Sequence, residues 1–221
     1  MSLGEPTATW PPGRPEIPAP WPGRPPVQPP ERPTPQPILP SWLEPEPIGL
    51  ERELADRLLE QRVIIVGGRL NDAMASLVAA ELLLLDARGS DPITMHISSP
   101  EAELEPSLAL AGAIDLVASP VHAVVRGTLR GPAIAVLCAA EQRAAHRHTM
   151  FILSSPQFSG DGTVTELTTL ADQHERQVAR LRDLIVRATG RADDEVAADL
   201  EPGRVLDADE AMDYGLVTRL L

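Results

Sequence analysis

Serine and histidine side chains are the groups in this sequence that could carry out nucleophilic catalysis. A serine hydroxyl becomes a good nucleophile only when a neighbouring imidazole takes its proton. Ser98 and Ser99 end one predicted strand, and Ser154 and Ser155 follow another. The five histidines are His96, His122, His146, His148 and His174. His96 falls within a predicted strand, where a packed or surface histidine is usual, so we do not expect a serine–histidine pair.

Two other clusters contain potential metal ligands or acids. His146 and His148 alternate across one residue and could share a strand face. No third ligand lies in obvious reach, so no metal site is predicted. Glu101, Glu103 and Glu105 stand just ahead of a predicted helix. Acids in that place are favourable against the helix dipole, which accounts for them without catalysis.

The composition divides the chain into two parts. Residues 1–50 hold 17 of the 24 prolines and all three tryptophans, without a helix or strand period. Such a segment favours extended polyproline II and cannot offset its ordering entropy by burial. We therefore predict a disordered proline-rich arm over residues 1–48, with docking through its prolines and tryptophans as the alternative. Residues 49–221 are expected to form one domain.

The charge and the single cysteine restrict the partners and the compartment. The formal net charge is −13, and residues 1–50 contribute only −2, from five acids and three arginines. An acidic surface repels nucleic acid and anionic lipid, and no apolar run approaches the ~20 residues of a membrane span. Cys138 lies in an apolar run and is expected to be buried and inert. With no basic-then-apolar stretch near its start, the sequence predicts a cytoplasmic protein.

Apolar periodicity predicts alternating strands and helices after residue 49. The predicted strands are short apolar runs: Val63–Val66, Ile93–Ile97, Val121–Val125 and Met150–Leu153. The predicted helices repeat apolar residues at helical spacing: 51–61, 71 or 72 to 85, 106–117, 134–140 and 164–188. Capping boxes begin the longest helix, at Thr163 and Glu166, and a last helix, at Asp207 and Glu210. This alternation predicts an α/β fold with a mostly parallel sheet flanked by helices.

Several short motifs occur in the order and spacing of a known family. They are Arg57-Leu58-Leu59, Gly67-Gly68 before Leu70-Asn71-Asp72, Ile93-Thr94 through Ser99-Pro100, Thr189-Gly190, and Glu210-Ala211 followed by Tyr214-Gly215-Leu216. In these motifs the chain resembles the proteolytic subunit of the Clp protease (ClpP), whose fold is shared with crotonases. The resemblance implies a ClpP/crotonase-like α/β domain. Its helix 164–188 would be the handle that packs between stacked rings.

The resemblance also indicates where the catalytic residues of active members would fall. In those members a serine attacks the peptide carbonyl, a histidine takes its proton and an aspartate orients the histidine. The serine position falls at Gly131, or with one residue of slippage at Arg130 or Pro132. The histidine position falls at Ser154 and the aspartate position at Gly203. The resemblance therefore implies a degenerate triad and no catalytic residue.

The oxyanion positions are altered as well. The paired glycines of the family are Glu101 and Ala102 here. A glutamate carboxylate near a developing oxyanion would oppose the charge that the site must stabilise. In an unrelated serine protease, loss of the whole triad lowers turnover about 10⁶-fold. The resemblance thus implies a triad-less, ClpR-like member without useful peptidase activity, cofactor or metal.

These features lead to one expected function and three alternatives. We expect a structural or regulatory subunit that joins catalytic ClpP-type paralogues in a ring. The alternatives are a divergent serine endopeptidase with a relocated nucleophile, a crotonase-like acyl-CoA enzyme, and a free-standing scaffold that recruits partners through residues 1–48. The crotonase-like enzyme would use Glu101 and Glu105 as an acid–base pair, with backbone amides near Ala102 and Gly131.

The aromatic content bears on a further partner of the family. Active members dock a ring ATPase through aromatic-lined surface pockets. Aromatic residues form 3% of this chain, and after residue 50 they are Tyr214, Phe151 and Phe158 alone. A family tyrosine on the second strand is replaced by His96. The resemblance therefore implies that a Clp ATPase is reached indirectly, through the catalytic subunits.

Overall fold

Helices and strands alternate through residues 48–157 and 161–221, the part of the chain that the structure, a computed structural model, describes. Side chains are described from Glu53 onward. The helices are α1 (Ile48–Glu60), α2 (Asp72–Arg88), α3 (Leu104–Leu116), α4 (Ile134–Ala139), α5 (Val164–Thr189), α6 (Asp193–Leu200) and α7 (Ala208–Tyr214). The strands are β1 (Val63–Leu70), β2 (Ile93–Ala102), β3 (Val121–Arg130), β4 (Gln142–Ala145), β5 (Met150–Leu153), β6 (Arg204–Leu206) and β7 (Arg219–Leu220). The predicted arm lies outside the described residues, except for Ile48.

Backbone pairing joins these strands into one sheet with the order β1-β2-β3-β4-β7. Every pair along this order is parallel. β5 also pairs in parallel with β3, beyond the end of β4, and β6 pairs antiparallel with β5. The predicted α/β fold with a mostly parallel sheet flanked by helices is confirmed.

The helices cover one face of the sheet and form the core with it. Successive side chains of a strand point to opposite faces, and alternate residues of β2 and β3, such as Met95 and Val125, are buried. α2 packs on α3, α3 on α4, and α4 on α5. Leu181 and Ile185 of α5 are fully buried in this core. None of the described helices is both long enough and apolar enough to cross a membrane.

Side-chain caps fix the starts of three helices, as predicted. The side chain of Asn71 accepts a backbone N–H in the first turn of α2. Thr163 and Glu166 each bond the backbone of the other at the start of α5, and Asp207 and Glu210 do the same at the start of α7. Each reciprocal pair satisfies two N–H groups that would otherwise lack an intrahelical partner.

The strands are longer and more numerous than apolar periodicity predicts. β1, β2 and β3 continue past their apolar segments to Leu70, Ala102 and Arg130. The short β4, β6 and β7 are not predicted, because two to four residues are too few to show a period. α6 is not predicted either, and α3 begins at Leu104 rather than at Pro106.

The structure bears on two further predictions, which concern the histidines His146 and His148 and the thiol of Cys138. His146 and His148 do not share a strand face, because β4 ends at Ala145 and a turn follows it. That turn is closed by the Thr149 N–H, which donates to the His146 carbonyl.

Cys138 packs against the core, and burial raises the pKa of its thiol to about 12. The thiol therefore stays protonated at neutral pH, in agreement with an inert cysteine.

The C-terminal elements are joined around the buried ring of Tyr214. Its hydroxyl donates to Asp199 Oδ2 at 2.9 Å. The guanidinium carbons of Arg191 and Arg204 lie 4.0 Å and 5.4 Å from the ring centroid, and Arg204 also pairs with Asp199. Burial, followed by the bond to Asp199, raises the pKa of the phenol. One side chain of α7 thus holds α6 and β6 together.

Removal of the Tyr214 hydroxyl tests this junction. Tyr214→Phe keeps the ring but loses the bond to Asp199, so we expect the free energy of unfolding to fall by about 1 kcal/mol. Asp199→Ala removes the same bond together with the ion pair to Arg204. Because the two changes share one interaction, the double variant should lose less than the sum of the single losses. Urea denaturation measures all three, and additive losses would show that the two residues act separately.

Candidate functional site

The three positions expected for the triad lie at strand ends that the sheet brings side by side. Parallel pairing aligns the end of β3 with β5, and antiparallel pairing aligns the end of β5 with the start of β6. Gly131 follows β3, Ser154 follows β5, and Gly203 precedes β6. The carboxyl ends of parallel strands form the edge at which α/β sheets usually bind ligands. Pairing of the main chain therefore places these three residues at a suitable edge.

Gly131 occupies a sharp turn between β3 and a single 3-10 turn, Gly131–Ala133, that leads into α4. Its φ is +53°, in the left-handed region, and its carbonyl accepts the Ile134 N–H. A strained strand–turn–helix junction of this kind exposes the nucleophile of α/β hydrolases. Gly131 therefore has the backbone turn that is expected at a nucleophile position, but as a glycine it has no reactive side chain.

Gly131, Ser154 and Gly203 are close neighbours. A Cβ built on Gly131 would lie 3.2 Å from Ser154 Oγ, and a Cβ built on Gly203 would lie 3.9 Å from Ser154 Cβ. The Ser155 N–H donates to the Leu200 carbonyl at 2.9 Å. This bond ties the segment after β5 to the end of α6, and so brings the loop that carries Gly203 to the site.

These positions line one cavity of about 530 Å³ at the strand ends. The lining residues are Pro100, Glu101, Ala102, Arg130, Gly131, Pro132, Ser154, Ser155, Pro156, Gln157, Glu201, Pro202 and Gly203. The volume is within the range of ligand-binding clefts. All five positions that the resemblance implies for the triad and the oxyanion hole are among them. We refer to this space as the strand-end cavity.

The described residues that line the strand-end cavity include no histidine, aspartate or cysteine. Ser154 and Ser155 therefore have no imidazole among the other lining residues. His174 of α5 contacts the lining residue Pro156, with Nε2 3.2 Å from the Pro156 carbonyl oxygen. Because a carbonyl oxygen only accepts, Nε2 carries the proton in this contact. That nitrogen cannot act as a base for a serine.

The other candidate hydroxyls and imidazoles lie outside the strand-end cavity. They are Ser98, Ser99, His96, His122, His146 and His148. Ser99 is buried, and its hydroxyl donates to the Glu101 carbonyl at 2.9 Å, which gives it a structural role. His96 is partly buried, and its Nδ1 has no hydrogen-bond partner among the described residues. Burial is the main cause that lowers the pKa of this imidazole.

Glu101 and Ala102 occupy the expected oxyanion positions at the end of β2. Glu101 forms an ion pair with Arg69, in which Glu101 Oε1 lies 3.1 Å from Arg69 Nη1. Arg69 also pairs with Glu103. The Glu101 side chain is 65% exposed, so solvent screens its charge. The repulsion between the Glu101 carboxylate and an oxyanion is therefore weaker than the sequence indicates. The pairing of β1 with β2 brings Arg69 opposite Glu101, and no local pattern predicts that contact.

Pro132 directly follows the position expected for the nucleophile. In a strand–turn–helix site, the N–H of the residue after the nucleophile donates to the oxyanion. Pro132 takes that place, is buried, and has no N–H. Proline is well tolerated in the first turn of a helix, where the N–H lacks an intrahelical partner. A glycine–proline pair at the end of a strand is the signal that could have indicated this loss.

The two carboxylates of the crotonase-like alternative are not brought together. Glu101 lines the strand-end cavity, whereas Glu105 lines a separate groove beside α5, together with Asp172 and Arg176. The separation arises because α3 begins at Leu104 and carries Glu105 in its first turn. Within residues 48–157 and 161–221, no three histidine, cysteine or acidic side chains cluster to hold a metal ion.

Comparisons with known proteins connect this fold to one family. The chain matches the Clp protease family over residues 50–221. It is 32% identical over 173 residues to ATP-dependent Clp protease proteolytic subunit 3 of Rhodococcus jostii, covering 76% of this chain and 85% of that protein. It is 31% identical over 190 residues to proteolytic subunit 2 of Corynebacterium jeikeium, covering 83% and 90%. The solved structure of a ClpP1 mutant from Listeria monocytogenes matches with a TM-score of 0.69 at 27% identity, covering 76% of this chain and 95% of that one.

Substitution at Gly131 tests the geometry of the turn. Gly131→Ser places a Cβ at a φ of +53° and 3.2 Å from Ser154 Oγ, so we expect a loss of about 1–2 kcal/mol in the free energy of unfolding. Adding Ser154→Ala removes the crowded oxygen and should restore part of that loss. Urea denaturation measures both variants, with Ser154→Ala alone as the control. Unchanged stability of Gly131→Ser would contradict the left-handed turn.

Proposed function

The chain belongs to the Clp protease family, and we propose that it is a non-catalytic subunit that joins catalytic paralogues in a ring. The strand-end cavity is the observation that carries this proposal. It has a left-handed turn and the volume of a ligand-binding cleft, and glycine, serine and glycine occupy the three positions that the resemblance gives for the triad. Pro132 adds the loss of a backbone donor, which no rotation of a side chain can replace.

The size of the expected rate losses supports a role other than hydrolysis. Loss of a triad costs about 10⁶-fold in turnover in an unrelated serine protease. Loss of a single oxyanion donor costs about 10²–10³-fold. A relocated serine would need a base, and the described lining residues offer no imidazole. We therefore favour a structural or regulatory role over a divergent peptidase.

Exposed apolar side chains support an assembly role. Leu77, Leu83 and Leu84 are exposed along α2, and Val164 and Leu170 are exposed along α5. Clustered apolar residues on a surface are typical of faces that another subunit buries. Subunits of the Clp protease family form oligomeric rings, and these two helix faces are the contacts that we assign to such a ring.

The remaining parts of the proposal follow from the composition. The proline-rich segment, residues 1–48, would present its prolines and tryptophans to a partner. The shortage of aromatic residues favours indirect contact with a Clp ATPase, through the catalytic subunits. The single cysteine, Cys138, is compatible with the cytoplasm, where we place the protein.

Labelling with a fluorophosphonate probe tests whether any serine is activated. We expect no labelling of the protein, because Ser154 and Ser155 have no imidazole among the described residues that line the strand-end cavity. The variant Gly131→Ser/Ser154→His/Gly203→Asp supplies triad side chains but still lacks the donor at Pro132, so it should react slowly. Adding Pro132→Ala to that variant supplies the N–H and should raise the labelling rate about 10²-fold or more.

A catalytic paralogue from the same organism serves as the positive control, and circular dichroism verifies that each variant is folded. Stoichiometric labelling of the unsubstituted protein would overturn the non-catalytic role. Equal labelling rates with and without Pro132→Ala would refute the role given to the proline, and would leave the rest of the proposal standing.

Native mass spectrometry after co-expression with the catalytic paralogues tests assembly. We expect mixed rings, because the apolar face of α2 requires a neighbour. Leu77→Asp/Leu84→Asp should abolish incorporation, since it places two charges in the contact. Leu116→Asp, at an exposed leucine on α3 outside both faces, is the matched control. Recovery of this chain only apart from the paralogues would contradict the proposal.

A further inference from the structure

Arg130 gives the strand-end cavity a guanidinium group, at the end of β3. It pairs with Ile152 of β5, and the residue before it, Leu129, is fully buried. Because successive side chains of a strand alternate between the two faces of a sheet, the Arg130 side chain points away from the core. The next residue, Gly131, lies beside Ser154, whose Oγ is 3.2 Å from a Cβ built on the glycine. A cation and a hydroxyl thus meet at the end of one strand.

The charge of Arg130 is not compensated by the part of the protein that the structure describes. Its side chain is exposed and forms no ion pair or hydrogen bond with another described residue. Two carboxylates, those of Glu101 and Glu201, also belong to the cavity lining. Glu101 pairs with Arg69, and Glu201 lies on the wall formed by the end of α6. The guanidinium of Arg130 is therefore available to an anionic ligand.

The hydrogen-bond donors of the cavity suit a carboxylate better than a peptide carbonyl. The hydroxyls of Ser154 and Ser155 line the cavity without a hydrogen bond to another described residue, and each can donate. Pro132 lacks the N–H at which a strand–turn–helix site anchors a carbonyl oxygen. A carboxylate accepts strong, charge-assisted hydrogen bonds from a guanidinium and needs no such anchor. This set of donors favours the end of a peptide chain over a bond within it.

The apolar part of the lining is unusually rich in one residue type. Four of the lining residues are prolines, which present rigid apolar rings: Pro100, Pro132, Pro156 and Pro202. An apolar side chain next to the carboxylate would pack against such rings, since burial of apolar surface is favourable. The volume of about 530 Å³ is sufficient for a few residues. A short peptide end with an apolar last residue matches the cavity in charge, polarity and size.

We propose that the strand-end cavity binds the free C-terminal carboxylate of a peptide whose last residue is apolar. The carboxylate pairs with Arg130, and the Ser154 hydroxyl donates to it. Glu201 repels a carboxylate from the other wall, which fixes the direction of the bound chain. The proposal rests on the non-catalytic role proposed above, because the site holds the chain end without hydrolysing it.

The class of ligand connects this site with the chemistry of the proposed ring. Hydrolysis of a peptide bond by a catalytic paralogue adds water and releases one new carboxylate end and one new amino end. The products of the ring therefore carry the group that Arg130 binds, whereas an uncut internal segment does not. The site would retain products rather than position substrates for cleavage.

Fluorescence anisotropy with the full chain tests the proposal. The probe is a hexapeptide of five alanines and a final leucine with a neutral fluorophore at its N-terminus, measured at about 50 mM NaCl, where screening is weak. We expect saturable binding, and binding about tenfold or more weaker for the same peptide with a C-terminal amide. Arg130→Gln should weaken the acid to the level of the amide and leave the amide unchanged, because both changes remove one interaction.

Arg126→Gln is the matched control, since Arg126 is an exposed arginine of the same strand outside the cavity lining. It should leave both affinities unchanged, and circular dichroism verifies that each variant is folded. Three outcomes would overturn the proposal: no binding of the acid, equal binding of acid and amide, or equal effects of Arg130→Gln and Arg126→Gln. Equal displacement of the probe by N-acetylleucine and by the unlabelled hexapeptide would assign the cavity to small carboxylic acids instead.

Mass spectrometry of the probe after each measurement separates this proposal from the non-catalytic role. An intact probe that does not bind overturns the peptide site and leaves the role in the ring standing. A hydrolysed probe overturns the non-catalytic role, and with it the retention of chain ends. Binding of an intact probe that depends on Arg130 supports both.

Discussion

The pairing of β3 is the constraint on which the rest of the structure depends. β3 pairs with β2 on one side, and on the other side with β4 first and then with β5. These ladders are main-chain hydrogen bonds, so they position the strand ends whatever side chains follow them. A cavity formed in this way persists when its reactive side chains are replaced. Such a fold can therefore support the assembly role that we propose without catalytic side chains.

Glycine at two of the positions expected for the triad avoids backbone strain. A residue with a Cβ in place of Gly131 would adopt a φ of +53°, and one in place of Gly203 a φ of +82°. Such conformations cost about 1–2 kcal/mol for a residue that carries a side chain. Active sites often keep strained residues because catalysis requires them. In the non-catalytic role that we propose, this requirement does not apply, and glycine at these positions favours the folded state.

Much of the fold can be predicted from the sequence because its signals are local. Capping pairs such as Thr163 with Glu166 lie within one turn, and long helices repeat their apolar residues over many positions. β4, β6 and β7 could not be predicted, since their partners rather than their own residues make them strands. At the site, the resemblance to ClpP identifies Gly131, Ser154 and Gly203, and the structure places all three in one cavity. The ion pair of Glu101 with Arg69 and the separation of Glu101 from Glu105 depend on tertiary contacts that a local pattern does not contain.

Arg143 connects β4 with elements that are distant in the sequence. Its guanidinium donates to carbonyls at the end of α5 and after α7, where a cation also compensates the negative ends of the helices. The end of the predicted handle helix and the segment that leads into β7 are therefore coupled through one side chain of the sheet. A change that displaces the end of α5 would also weaken the support of that C-terminal segment.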